Sequence, residues 1–221
     1  MSDKATLLSK LTEKRKNTCY EGYTSIGDYH DGVYECDFVS PYTKSAGNTN
    51  SDIMIILQDW CSEAFLLKKI CSETLKYGYD PSIRTNIKLK ELLLEHLEIT
   101  LAETYGTNLF PFIKPGPMHA NIPAKDMKRA ALDFTIPLID IVEPKIAICF
   151  GTSTFNALRK ACGLRPVKNM AEAIDDHFSY NKTEIWCQAH TGQLGQNNRN
   201  RGGVDRVSSD WEKMRQYFQR L

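Results

Sequence analysis

Four short polar groups stand where apolar runs of this 221-residue chain break off. Gln58-Asp59-Trp60-Cys61 follows "IMIIL" (53–57), and Thr107-Asn108 lies inside "TYGTNLFPF" (104–112). Gly151-Thr152-Ser153 follows "KIAICFG" (145–151), and His190-Thr191-Gly192 ends "EIWCQAH" (184–190). A carboxylate and an imidazole at such positions suit hydrolysis, where one group handles water or positive charge and the other supplies a proton or hydrogen bond. The kind of hydrolysis is narrowed by what is missing. No Gly-x-Ser-x-Gly turn supports acyl transfer by a serine. No Gly-x-x-x-x-Gly-Lys loop supports nucleoside triphosphate hydrolysis. Metal-assisted hydrolysis wants more carboxylates or histidines at the strand ends.

The elements that must bring these groups together follow from hydrophobic periodicity. Residues 3–16 read as a charged surface helix through Leu7, Leu8 and Leu11, and residues 40–52 as an ordered loop leading into the core. A helix is expected over 62–77, capped by Ser62 and stopped at Gly78. A second runs through Leu89, Leu92, Leu93, Leu97 and Leu101, a third covers 125–142, and one follows the strand at 145–151. After a Gly/Asn/Arg-rich loop at 192–203, a last helix covers 208–221. Short strands without polar alternation, each followed by a helix, predict a parallel sheet covered on both faces. In such sheets, sites form at the carboxyl ends of the strands. The expected fold class is α/β: three α/β/α layers around a four-stranded, mainly parallel sheet. Residues 1–50 form an extension packed on a domain of residues 51–221.

Composition sets the outer bounds. The length suits one domain with a real core. A net charge of +1 leaves no global basic field, so any nucleic-acid contact must use local charge. No run of about 18 apolar residues predicts a membrane span, and the amphipathic N-terminus does not read as a signal peptide. Seven cysteines without a Cys-x-x-Cys pair read as reduced thiols of a cytoplasmic protein, with neither zinc site nor iron–sulfur cluster. No cofactor is expected, and the surface composition and lack of heptads point to a monomer.

The order and spacing of the four strand ends resemble the uracil-DNA glycosylase superfamily over roughly residues 50 to 220. "IILQDWC" is similar to its first motif, "TNLFPF" to the segment whose Asn reads the base, "CFGTSTFNALRK" to its Gly-Ser phosphate loop and helix, and "AHTGQLGQNNR" to its His-Pro-Ser-Pro-Leu motif. The resemblance implies a DNA substrate, single- or double-stranded, and a flipped-out pyrimidine. By that resemblance Asp59 holds the attacking water and stabilises the cationic sugar, and His190 donates a hydrogen bond to the leaving base. Asn108 binds the Watson–Crick edge, with Gln58, Trp60 and Cys61 around the base. Gly151, Thr152 and Ser153 open a helix whose N–H groups hold a phosphate. Leu194 is the wedge that fills the vacated stack. Arg199, Arg201 and Arg206 supply local positive charge, extended by Lys114, Lys125, Lys128 and Arg129. With no lysine at a matched catalytic position, the implied enzyme is monofunctional: it leaves an abasic site without cleaving the strand through a Schiff base.

Departures from the family pattern carry information. Trp60-Cys61 replaces Pro-Tyr, whose Tyr crowds C5 of uracil in uracil-specific members. The smaller Cys61 implies a pocket open at C5, able to take a bulkier base such as 5-hydroxymethylcytosine or its glucosylated form in phage DNA. Such an enzyme serves antiviral defence; a uracil enzyme serves repair. Thr191-Gly192 replaces Pro-Ser.

Plainer readings stand beside these. Asp59 also suits a helix cap, Asn108 a turn, and His190 a satisfied structural histidine. Leu194 and Trp60 also suit buried packing, and the Arg-rich loop a solvated surface. His96 reads as structural, whereas His119 fits either role. Three further functions fit the pattern less closely: a non-catalytic DNA or modified-base binding module, a hydrolase of free nucleosides, and a crosslinker of uracil-containing DNA, whose Arg/His-rich insertion is missing here.

Overall fold

The computed structural model describes residues 3–221. Five strands form one sheet: β1 (Ile53–Asp59), β2 (Tyr105–Phe110), β3 (Ile146–Phe150), β4 (Phe178–Tyr180) and β5 (Thr183–Gln188), in the order β2-β1-β3-β5-β4. The four strands expected from sequence are β1, β2, β3 and β5, all parallel. The fifth, β4, pairs antiparallel with β5 at the edge. It is three residues long and only partly buried, so it carries no apolar run for a pattern to detect.

The side chains of β1 divide between two cores, as a doubly covered sheet requires. Met54 and Ile56 pack on one face with α1 (Lys4–Lys16), α5 (Ala124–Ala130), α6 (Ile136–Val142) and α7 (Thr152–Ala161). Ile53, Ile55 and Leu57 pack on the other with α4 (Arg84–Leu97) and α10 (Arg206–Phe218). The remaining short helices are α2 (Glu63–Leu66), α3 (Ser72–Tyr77), α8 (Met170–Asp175) and α9 (Gln193–Arg199).

Four expected elements differ in detail. The leucine-rich helix expected through Leu101 ends at Leu97, where Glu98 turns left-handed, and Leu101 opens a separate 3-10 turn (Leu101–Glu103). The helix over 62–77 is two pieces, because tertiary partners take its backbone groups. The Leu66 carbonyl bonds the His30 ring, and the Cys71 N–H donates to the Tyr34 hydroxyl at 2.9 Å. The helix over 125–142 is continuous but widens into a π turn at Ala131–Thr135. Pro137 has no N–H for the Asp133 carbonyl, and Lys14 Nζ takes that carbonyl at 2.9 Å. Lastly, the stretch at 192–203 contains α9.

The segment before the sheet is knit together internally and tied to the loop after β2 and to α6. Arg15, wholly buried, pairs with Glu35 and donates to the Cys36 and Phe38 carbonyls. Tyr20 stacks near Phe112, and Lys4 Nζ reaches the Val142 carbonyl at 2.8 Å. The seven cysteines are all free thiols. No helix among the described residues is long and apolar enough to cross a membrane.

Candidate active site

Asp59 is the last residue of β1, and period-two alternation puts it on the same face as Leu57. Leu57 is the register partner of Asn108 on β2, so the carboxylate and the amide share that face. Asn108 lies inside β2, two residues before its end, and is 1 % exposed. His190 follows β5 at the same rim. All three line one cavity of about 530 Å³, together with Gln58, Trp60 and Cys61. The four strand-end groups therefore converge in part: Gly151, Thr152 and Ser153 lie outside that lining, at the start of α7.

Asp59 does not cap a helix. Its Oδ1 accepts from Gln58 Nε2 at 3.1 Å, and its Oδ2 lies 2.8 Å from Lys114 Nζ. The Asp59 and Lys114 side chains are only 8 % and 3 % exposed. Lys114 is thus part of the pocket rather than of a surface basic patch. Its loop is pinned on two sides: Ile113 pairs with Thr24, and the Lys114 carbonyl accepts from Glu63 N–H at 3.0 Å. No motif spacing links residue 114 to residue 59, which explains why sequence reading left this lysine outside.

Asn108 is oriented by Ser40. The Ser40 hydroxyl accepts from the Tyr42 N–H at 3.2 Å and donates to Asn108 Oδ1 at 2.6 Å. The amide end left for a ligand is Nδ2, a donor.

His190 is held by α9. Its Nδ1 accepts the Gly192 N–H at 3.0 Å, so the neutral ring carries its proton on Nε2. Gln196 Nε2 donates to the His190 carbonyl at 3.0 Å. The approach leaves no room for side chains. A Cβ on Gly195 would sit 2.3 Å from the His190 oxygen, and one on Gly192 2.9 Å from Nδ1. Although part of His190 meets solvent, the surrounding protein pushes its pKa below the ordinary 6.5, against the opposing pull of Asp59. The group is therefore a neutral hydrogen-bond donor near pH 7.

Trp60 is half-buried, with Nε1 bonded to the Gly78 carbonyl at 2.8 Å and Tyr34 edge-on at 5.6 Å. It is fixed in place yet keeps a face in the cavity wall. Cys61 is buried among Ile26, Tyr29, Tyr34, Leu66 and Ile113. Burial and then Asp59 push its thiol well above the usual range, so it is an inert small group. The rest of the wall comes from residues that carried no sequence signal, among them Tyr42, Tyr79 and Asn86. Tyr42 and Tyr79 stack at 4.9 Å, and the Tyr42 hydroxyl reaches Asn86 Oδ1 at 3.3 Å. His119 also lines the cavity. His96 does not; it is buried against Trp211, as a structural histidine would be.

The residues expected at a DNA surface separate. Leu194, on α9, is 75 % exposed, which excludes the reading of a buried loop leucine. Arg201 is exposed. Arg199 is not free: its guanidinium grips the Asp210 carboxylate with two bonds of 2.6 and 2.7 Å. Arg206 Nη1 is spent on the Arg201 carbonyl at 2.6 Å. Among the described residues no group of three or more His, Cys, Asp or Glu is placed to hold a metal ion. Compared with known proteins, the chain matches no protein-family model and no curated sequence.

Proposed function

We propose that this protein is a DNA glycosylase acting in the cytoplasm, which hydrolyses the N-glycosidic bond of a flipped-out pyrimidine and leaves an abasic site. The observation that carries this reading is the convergence of Asp59, Asn108 and His190 on one cavity from three separate strand ends. In this mechanism the extruded base lies along Trp60, and Asn108 Nδ2 donates to its Watson–Crick edge. His190 Nε2–H donates to O2 as negative charge builds on the leaving base, a preorganised dipole of the oxyanion-hole kind. Asp59 orients the attacking water and offsets the positive charge on the sugar. Leu194 enters the vacated stack, and Arg201 meets the backbone.

The base is a C5-modified cytosine rather than uracil. A cavity of about 530 Å³ falls in the range that encloses drug-sized ligands, well beyond a bare pyrimidine, and its lining includes the small Cys61. Glucosylated hydroxymethylcytosine in phage DNA fits that requirement and makes the role antiviral. The test is chromatographic detection of free base from DNA carrying uracil, thymine mismatches, 5-hydroxymethylcytosine or its glucosylated form. Release of the bulky base alone supports the reading; release of uracil alone overturns the C5 argument.

One observation favours a second reading, a non-catalytic module that binds modified bases. Lys114 beside Asp59 partly cancels the field that would stabilise a cationic sugar. Binding of modified DNA with no base released from any substrate, by wild type and Asp59→Asn alike, identifies the module.

A further inference from the structure

Lys114 is a primary amine buried in the pocket wall, 2.8 Å from a carboxylate. An abasic sugar, the product of the glycosylase step, opens to an aldehyde at C1′. An amine, a neighbouring acid–base group and an aldehyde are the components of imine chemistry. We propose that Lys114 is a nucleophile giving this protein a second activity, cleavage of the strand at the abasic site through a Schiff base. The proposal rests on the glycosylase reading, since that step supplies the aldehyde, and it replaces the expectation of a monofunctional enzyme.

The Asp59–Lys114 pair supplies every proton the sequence needs. Asp59 takes a proton from the Lys114 ammonium, and the freed amine forms a bond to C1′. The resulting carbinolamine loses its oxygen as water, using the proton held on Asp59, and becomes a protonated imine. The Asp59 carboxylate then removes a proton from C2′. The C2′–H pair forms C1′=C2′ as the imine π pair moves onto nitrogen. The nitrogen pair then re-forms the C=N bond while the C1′=C2′ pair becomes C2′=C3′, and the C3′–O bond breaks with its electrons leaving on the phosphate oxygen. Water hydrolyses the conjugated imine and restores the Lys114 ammonium, while the proton on Asp59 passes to solvent. No oxidant or reductant is consumed.

Two features suit Lys114 to this task. Its loop is fixed through Ile113 to Thr24 and through the Lys114 carbonyl to Glu63, so the amine is presented from a rigid base. Its side chain is nine-tenths or more buried, so the imine would form out of bulk water.

The experiment uses the full-length protein and a duplex with a preformed aldehydic abasic site, so no base release is required. Sodium borohydride reduces the imine to a stable amine, and a denaturing gel reads the covalent protein–DNA adduct. Wild type is expected to give the adduct, and digestion with mass spectrometry to place the nucleotide on Lys114, a mapping independent of how any variant folds. Lys114→Ala and Lys114→Arg are expected to lose at least 10-fold in adduct. Asp59→Asn is expected to slow strand cleavage. No adduct with wild type, or an adduct mapped to another amine, overturns the proposal. Base release from modified DNA is measured in parallel. Release without an adduct overturns the strand-cleavage step alone, whereas an adduct without release from any base overturns the glycosylase reading and leaves a lyase.

Discussion

Ser40, from the segment ahead of the sheet, donates its hydroxyl proton to Asn108 Oδ1 at 2.6 Å and thereby sets which end of the amide faces a ligand. Asn108→Ala removes the donor to the base edge, and base release is expected to fall about 10- to 100-fold, as for a lost buried hydrogen bond of about 1–3 kcal/mol. Ser40→Ala leaves the amide but frees it to rotate; a smaller loss, about 3- to 10-fold, is expected, appearing in discrimination between bases. Steady-state base release on two substrates checks both.

Asp59→Asn keeps the shape of the side chain and removes its charge. Base release should drop about 10²- to 10³-fold, the usual cost of deleting one preorganised electrostatic group, while DNA affinity stays within about 3-fold. Single-turnover base release and a binding titration on the same protein separate the two quantities.

The pH dependence follows from His190. The protein surrounding its partly solvent-exposed ring lowers its folded pKa below 6.5, so the ring is neutral at pH 7. As pH falls through that lowered value, Nδ1 takes a proton and can no longer accept the Gly192 N–H. The unfolded chain, at 6.5, binds the proton first, so stability also declines below pH 6.5 and is retained above it. A pH–rate profile should show kcat/KM falling on the acid side with a midpoint below 6.5. In His190→Gln, rates should be lower and that limb should disappear.

Gly195→Ala tests the seat of the histidine rather than the histidine itself. The added Cβ meets backbone, 2.3 Å from the His190 oxygen, so α9 or His190 must shift. Activity is expected to fall at least 10-fold, because a displacement of about 1 Å can cost about 100-fold in rate. A helix-favouring Ala elsewhere on α9, such as at Gln193, serves as control.

Arg199 and Arg201 should part company. Arg199→Ala strands the Asp210 carboxylate, 7 % exposed, and should destabilise the fold by about 3 kcal/mol, read by denaturant titration. Arg201→Ala should leave stability unchanged, weaken DNA binding several-fold and reduce its salt dependence. Leu194→Ala should slow base release on duplex DNA and spare single strands, where no stack has to be filled.

Sequence alone determined the parts of this protein that are written in local patterns. Four short runs without a polar, water-facing side specified buried parallel strands. Their polar ends specified Asp59 and His190 as rim residues, and the period of the leucines in α4 specified a covering helix. Tertiary structure decided what depends on partners distant along the chain. The helix over 62–77 broke because His30 and Tyr34 claim its backbone groups. Arg199 was withdrawn from the surface because Asp210 lies opposite it. The site gained Lys114, Ser40 and Tyr42 because packing of the N-terminal segment and the loop after β2 brings them to the strand ends. A lysine at residue 114 carries no sign of a carboxylate at residue 59. Only folding, by burying both and placing them 2.8 Å apart, turns two ordinary charges into one pair.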